Sequence, residues 1–503
     1  MAHIRIVDIP CGYGKSSRIV SNFDKREKYV AVVPYLSEVD RFIAEARQNS
    51  DFFLTQPQTR DGSKSDHAEK LIRSGKSVVC THSLFYRLGT LATQPMEQAT
   101  AVDFSADGKP TVTTQHLLAD YNFIIDEVVE PFSLEPNVRI ADFDEDYIGL
   151  GLAEVKPNGM VHPTPLWDAR YQQGNRTFRR DLYEKAKSGA LFKMSDNLFV
   201  LTMPVELLTK PKSVTFYTYM SEGSLLLKFM EKLRAEHPGL FTLEVERLPE
   251  AAEAAWRRDV ASALTVKSVP SLAGQALNYR AQLKGIKTHR QCASVGHKLR
   301  RLQTEELHGV NLNSVMLTCA RDLWYRSNTA QKPVAGRLAS HTRLFGRPVR
   351  ENSYSEEHET YEAAWSTTGA QFVPNTTRGT NKYSDCTHAI YLYDQHPNPQ
   401  FLTFLGMERS ADEARRFVDA YALTELVQWL FRSAIRKGGV NGTSLPYRPR
   451  SNVCVYLPSG RMRNLLLNWL LSGRVCSGEV RPADQRQEEL LARVTGQPPR
   501  MAA

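Results

Sequence analysis

Ile4-Arg5-Ile6-Val7-Asp8-Ile9-Pro10-Cys11-Gly12-Tyr13-Gly14-Lys15-Ser16-Ser17 stands almost at the N-terminus, and its reading decides the fold. An apolar, β-branched run from Ile4 to Val7 feeds a glycine-rich turn, after which Lys15-Ser16-Ser17 opens a polar segment able to start a helix. Gly12 and Gly14, on either side of Tyr13, allow backbone N–H groups to point inward at phosphate oxygens. Lys15 can reach the β- and γ-phosphates of a nucleotide, and the Ser16 hydroxyl can ligate Mg²⁺, with Ser17 beside it. The match is to the short form of the phosphate loop, GxGK[ST], because Ile9 stands where the longer signature has its first glycine.

A loop of that form needs a partner, and one lies 111 positions beyond Lys15. Tyr121-Asn122-Phe123-Ile124-Ile125 is an apolar strand that runs into two adjacent carboxylates, Asp126 and Glu127. Nucleotide hydrolases of the phosphate-loop type use such a pair, one acid to hold Mg²⁺ and the next to polarise the attacking water. An acidic strand end facing solvent is the plain alternative, but beside the glycine loop the pair predicts hydrolysis of a nucleotide.

At 503 residues the chain should form two or three domains, and 42% hydrophobic with 24% charged residues is ordinary for a water-soluble fold. No apolar run approaches the length of a membrane span, and the start lacks the charged-then-apolar pattern of a secretory signal, so no membrane partner and a cytoplasmic setting are expected. Seven dispersed cysteines without a CxxC pair argue against both a disulfide framework and a zinc site. The net charge of +9 is unevenly spread: from Arg280 to Arg350 there are 14 Lys or Arg against Glu305, Glu306 and Asp322. Such a stretch predicts a polyanionic partner, with a solvated basic face as the alternative. Tyr279, Trp324, Tyr325 and Phe345 lie among these charges, either as a surface for stacking bases or as core.

The first 210 or so residues alternate short buried-type strands, such as Tyr29–Val33 and Ser77–Thr81, with helical stretches such as Glu38–Arg47, which predicts a parallel sheet covered on both faces. Residues 100–114 read as an inserted loop, and Leu198–Leu201 as a further strand. A second α/β pattern begins near Ser314 and continues through Gln371–Val373 and His388–Leu392. The division expected is a first sheet domain over 1–215, a helical basic insert over 216–310, a second sheet domain over 311–475 and a mobile tail over 476–503.

In this order the pieces resemble a superfamily 2 helicase of the DEAD/DEAH-like kind, in a style similar to those coded by bacteriophages. Cys11 to Ser16 resembles motif I; Val32 to Leu36, with Pro34, resembles motif Ia; Thr81-His82-Ser83-Leu84-Phe85 resembles motif Ib. Asp126-Glu127-Val128-Val129 stands in the place of motif II, and Leu201-Thr202-Met203-Pro204 in that of motif III. Thr377-Arg378-Gly379-Thr380-Asn381 looks like motif V, and the segment holding Gln428, Arg432 and Arg436 looks like motif VI. The resemblance implies two RecA-like parallel-sheet domains with ATP and Mg²⁺ between them. It implies nucleic-acid contacts at Pro34, Thr81, His82, Thr377 and Arg378, a nucleotide contact at Gly379, and arginines reaching the γ-phosphate from the second domain. Gln428, Arg432 and Arg436 are spaced i, i+4, i+8, which would line one face of a helix. The chain departs from the family's pattern where Val128-Val129 follow the acidic pair, where Leu201 and Met203 flank Thr202, and where Arg432 and Arg436 lie four apart. With ten residues before Cys11, no upstream adenine-recognition motif is expected.

The expected activity is ATP-dependent movement on nucleic acid, DNA before RNA, in replication, recombination or repair, with other replication proteins as further expected partners. Two alternatives stay open: a DNA-packaging-type motor, whose second half should carry a nuclease with clustered acids such as Asp385 and Asp394, and a nucleic-acid-binding ATP switch that does not unwind.

Overall fold

In the computed structural model the described residues are 2–59, 63–92, 95–104, 110–134, 143–172, 180–195, 198–327, 333–345, 354–355, 360–361, 369–377, 379–408, 410–438 and 451–498. The strands of the first half are β1 (Ala2–Asp8), β2 (Lys28–Val33), β3 (Val78–Thr81), β4 (Tyr121–Asp126), β5 (Ser213–Thr218) and β6 (Phe241–Arg247). They form one parallel sheet in the order β6-β1-β5-β4-β2-β3. Side chains alternate across it: Val30, Val32, Phe123 and Ile125 enter one apolar layer, while Tyr29, Ala31 and Val33 enter the other. The second layer is closed by α1 (Lys15–Ser21) and α2 (Leu36–Ser50), which bury Ile19, Val20, Val39 and Phe42.

The second sheet joins β7 (Leu264–Lys267), β8 (Val315–Thr318), β9 (Gln371–Phe372), β10 (His388–Tyr391) and β11 (Val453–Tyr456) in the order β7-β11-β10-β8-β9, again all parallel. Two parallel α/β domains are thus present, as the strand pattern predicts.

Their boundary differs from the expected one. Residues 216–310 do not form a helical insert. β6, with Phe241 buried and Leu243 and Val245 partly so, pairs with β1 as an edge of the first sheet, and β7 is an edge of the second. Edge strands this short, alternating with charge, carry too weak a pattern to stand out from the helices around them. Residues 100–104 and 110–114 belong to antiparallel strands, Pro95–Phe104 with Pro110–His116, rather than to a plain loop. Leu198–Thr202 lies outside the main sheet, between Phe132–Leu134 and Leu191–Ser195 in a small antiparallel sheet. That sheet belongs to an excursion between β4 and β5 with its own aromatic core of Phe143, Trp167, Tyr183 and Phe199. Within the tail expected to be mobile, Gln485–Thr495 is a helix that buries Val494 against the second domain.

An aromatic plug is one of the contacts that tie the halves together. The short helix Pro399–Phe404, which follows β10, places Phe401 and Phe404 in the first domain's core, with Phe132 ring centroids 5.0 and 4.9 Å away. Phe192 and Phe229 complete the socket around Phe404. Phe404→Ala is therefore expected to cost about 3–5 kcal/mol, the usual loss for emptying a buried aromatic site. Urea denaturation checks this, and a midpoint equal to wild type would show that the plug contributes nothing.

Candidate nucleotide-binding site

β1 carries the chain into the glycine loop, where Gly12 and Gly14 take positive φ values of 85° and 68° that side chains resist. Gly14 caps α1, so Lys15, Ser16 and Ser17 form its first turn. Cys11 joins, and Tyr13 packs against, the second domain's core cluster that also holds Tyr219 and Trp256. The loop is thus held at the seam between the two sheets.

Lys15 is buried, and its Nζ donates to the carbonyls of Ile9 (3.1 Å) and Thr218 (3.3 Å). The Ser16 hydroxyl donates to Oδ2 of Asp126 at 2.8 Å. The two oxygens expected to share Mg²⁺ therefore meet, although 110 residues separate them in the chain. Burial, then the Glu127 charge, pushes the Asp126 carboxyl up to about 6, against the pull of Ser16, Lys15 and Arg41. A divalent cation at this point would relieve that crowding, so a hydroxyl beside a destabilised carboxylate fits a magnesium site.

Glu127 has a φ of 68°, a backbone state that non-glycine residues occupy rarely and at a cost of order 1–3 kcal/mol. Its N–H donates to the Tyr217 carbonyl (2.9 Å), which anchors the turn at the end of β4 against β5. The strained turn directs the carboxylate to the seam, where Oε1 accepts from Nη2 of Arg432 at 3.2 Å. Both partners are buried, Arg432 at 1% exposure. Nε and Nη1 of Arg432 have no hydrogen-bond partner among the described residues. An arginine this deep with two orphaned donors suits a phosphate group with oxygens to spare. Arg436 lies in the same seam; burial, and then the neighbouring Arg432 cation, holds its guanidinium below the ordinary value.

The backbone under these arginines is not the continuous helix that their spacing predicts. The helix Asp412–Leu430 ends at Leu430, Arg432 occupies a turn, and Arg436 falls in a 3₁₀ segment, Ala434–Gly438. The Ala434 N–H donates to the Cys386 carbonyl (2.9 Å), which draws the chain onto the second sheet and breaks the i+4 ladder. The end of the helix is also buried on all sides from Ala422 to Leu430 rather than amphipathic.

Gln428, expected with the arginines, instead donates from Nε2 to the Tyr219 carbonyl (2.8 Å), and Thr424 donates to the Met220 carbonyl (3.2 Å). Through Nε2, Gln428 therefore positions a loop. That loop, 219–223 at the end of β5, packs so closely that a Cβ on Gly223 would collide with Thr424. Its other side is bolted to Asp8, whose Oδ2 accepts from the N–H (3.0 Å) and hydroxyl (2.6 Å) of Ser221. Asp8 and the 218–221 segment are functional candidates that the sequence reading missed. The available signal was the alternation Val214, Phe216, Thr218, which marks a strand that the structure pairs with β1, beside the glycine loop.

The expected nucleic-acid residues divide. Pro34, just past β2, meets Gly379 across the seam: a Cβ on Gly379, whose φ is 74°, would come within 2.5 Å of the Pro34 ring. Thr377 is buried on the second domain's side, and Arg378 lies outside the described residues. Thr81 ends β3 and bonds Ser83, while the His82 ring meets the Asp126 carbonyl at 3.1 Å, which links that loop to the acidic pair. Of the aromatics in the basic stretch, Trp324 and Phe345 are stacked in the core at 4.3 Å and Tyr279 is exposed, so no continuous stacking surface exists there among the described residues.

Residues 280–470 match the model of the YonV C-terminal Rossmann-like domain, in agreement with parallel strands β8 to β11. Over 491 residues, 94% of this chain and all of the relative, the chain is 21% identical to the SPbeta prophage-derived uncharacterized protein YonV of Bacillus subtilis (strain 168). Among solved structures, an XPD helicase overlaps with a TM-score of 0.45 at 11% identity, covering 94% of this chain and 95% of its own. Saccharomyces cerevisiae Dbp5 bound to RNA and ADP BeF3 overlaps at 0.35 with 10% identity, covering 98% of this chain and 89% of its own. Overlaps at that level carry no argument about activity; the site geometry does.

Proposed function

We propose that the chain is an ATP-dependent motor on nucleic acid, a helicase or translocase of the superfamily 2 type acting on DNA in replication, recombination or repair. The observation that carries this reading is the meeting of Ser16 with Asp126 from one sheet and of Glu127 with Arg432 across the seam. A nucleotide bound at the glycine loop would then be in reach of both domains, which is what hydrolysis-driven opening and closing requires. A prophage-derived relative supports a phage-encoded origin; work in the host cytoplasm, alongside other replication proteins, is part of the same proposal.

Each residue has a part. Ser16 and Asp126 would hold Mg²⁺, whose charge would offset that of the phosphate oxygens. Lys15 would exchange the Ile9 and Thr218 carbonyls for phosphate oxygens. Glu127 would accept a proton from the attacking water, and Arg432, with Arg436 behind it, would take up charge developing on the γ-phosphate. Gln428 and Asp8 would keep the 219–223 loop in register between the two. The packaging-motor alternative is weaker, because Asp394 is tied to Arg461 and His396 rather than to other acids.

The test is ATPase activity with single-stranded DNA, duplex DNA and RNA as stimulators, beside a strand-displacement assay. Stimulation by DNA with displacement supports the helicase; hydrolysis without displacement points to a translocase or switch; no hydrolysis removes the proposal. Glu127→Gln is expected to lower turnover by about 10²-fold or more while nucleotide still binds, since Ser16 and Asp126 persist. Full turnover by this variant would take Glu127 out of the mechanism, and loss of binding would make its role structural.

A further inference from the structure

The excess of cations between Arg280 and Arg350 is not spread evenly over the surface. Lys298 donates to Gln275, Arg301 pairs with Glu305, and Arg337 donates to the Leu283 carbonyl. What is left over is a groove of about 740 Å³ between the end of the helix His289–Glu306, the 307–312 turn and the segment 340–343. Arg300 and Arg343 line it, with His308, His341, Thr304 and Ser340, and no carboxylate does. Among the described residues neither arginine has an acidic partner.

The groove is built by packing rather than by chance clustering. Leu338, Ala339, Leu344 and Phe345 point into the core, and Phe345 stacks on Trp324, so Ser340, His341 and Arg343 are turned outward. Gly296 lets that segment lie against the helix, because a Cβ there would sit 2.5 Å from the His341 carbonyl oxygen. The His341 ring meets His289 edge-on at 4.7 Å. Burial, then His289 and Arg300, keeps the His341 imidazole below its ordinary value, as expected in a field that no acid offsets. Beyond His289 the cations continue along the surface: Arg280, Lys284, Lys287 and Arg290 are exposed.

We infer that this groove binds the phosphodiester backbone of a nucleic-acid strand, with Arg300 and Arg343 on the phosphates and Thr304, Ser340 and His308 as hydrogen-bond partners. An acid-free groove with two arginines, in a segment that carries further exposed cations at Arg280, Lys284, Lys287 and Arg290, suits a long anion better than a compact one. Because Trp324 and Phe345 are buried, the grip is on the backbone and independent of base sequence. None of the groove's residues belongs to the Lys15–Arg432 site, so the groove would hold the strand apart from the nucleotide. It rests on the nucleic-acid reading above.

The test is the double variant Arg300→Ala, Arg343→Ala, measured by fluorescence anisotropy with labelled single strands of two unrelated sequences across a salt series. Both side chains are exposed, and a thermal melt equal to wild type serves as the fold control. Affinity is expected to fall about tenfold or more for both sequences. The slope of log affinity against log salt should fall by roughly 1.4, near 0.7 for each phosphate no longer neutralised. Arg300→Lys, Arg343→Lys should recover most of the slope. Unchanged affinity and slope, beside a wild type that binds strands, would overturn the groove and leave the motor reading standing. A wild type that binds no nucleic acid would overturn both. Weakened binding of inorganic tripolyphosphate with strand binding intact would mark a small-anion site and overturn the inference as well.

Discussion

Lys15→Ala is expected to bring ATP hydrolysis down to the level of a protein-free control. The side chain is the one cation inside the glycine loop, and its reach to the phosphates is short because α1 begins at that residue. In the structure its Nζ also bridges Ile9 and Thr218, at the ends of β1 and β5. The variant therefore removes the Lys15 donor from the Ile9 carbonyl, while Thr218 keeps the Ile9 N–H at 3.1 Å, at about 1–3 kcal/mol, a loss a fold of this size should survive. A thermal melt separates the two effects: a folded variant with no turnover supports the site, whereas a folded variant hydrolysing ATP at the wild-type rate would show that the loop does not hold phosphate.

Arg432→Ala should be equally severe and for two separable reasons. Removing the guanidinium takes away charge stabilisation that an arginine supplies in other nucleotide hydrolases, on the order of 10³-fold or more in rate. It also strands the buried Glu127 carboxylate, and breaking a buried pair from one side typically costs about 3–5 kcal/mol. Arg432→Ala combined with Glu127→Gln removes both charges and should regain much of the lost stability without regaining activity. Denaturant midpoints and single-turnover hydrolysis of the three variants decide the matter. A double variant as unstable as Arg432→Ala alone would show that the ion pair is not what holds the seam. Retention of normal hydrolysis by Arg432→Ala and by Arg436→Ala would mean that the second domain takes no part in the chemistry.

Local chemistry was enough to mark the glycine loop, the acidic pair, strands β1 to β4 of the first sheet and β8 to β10 of the second. Gly12, Gly14, Lys15 and Ser16 are adjacent, and the strand before Asp126 announces itself by unbroken apolar residues, so short-range pattern and function coincide. The edges of the sheets were not legible in this way. β6 and β7 carry charge on alternate or terminal positions, and only pairing with β1 and β11 makes them strands. Nor could spacing place Arg432 and Arg436, because the helix that an i, i+4, i+8 pattern implies is interrupted by a hydrogen bond from Ala434 to Cys386, 48 residues earlier in the chain. The bolt from Asp8 to Ser221 spans 213 residues, and the pair of Glu127 with Arg432 spans 305. Contacts of that separation are set by how the two sheets pack. The residues that could do the chemistry were therefore readable in the chain, and the tertiary structure alone decided which of them face one another.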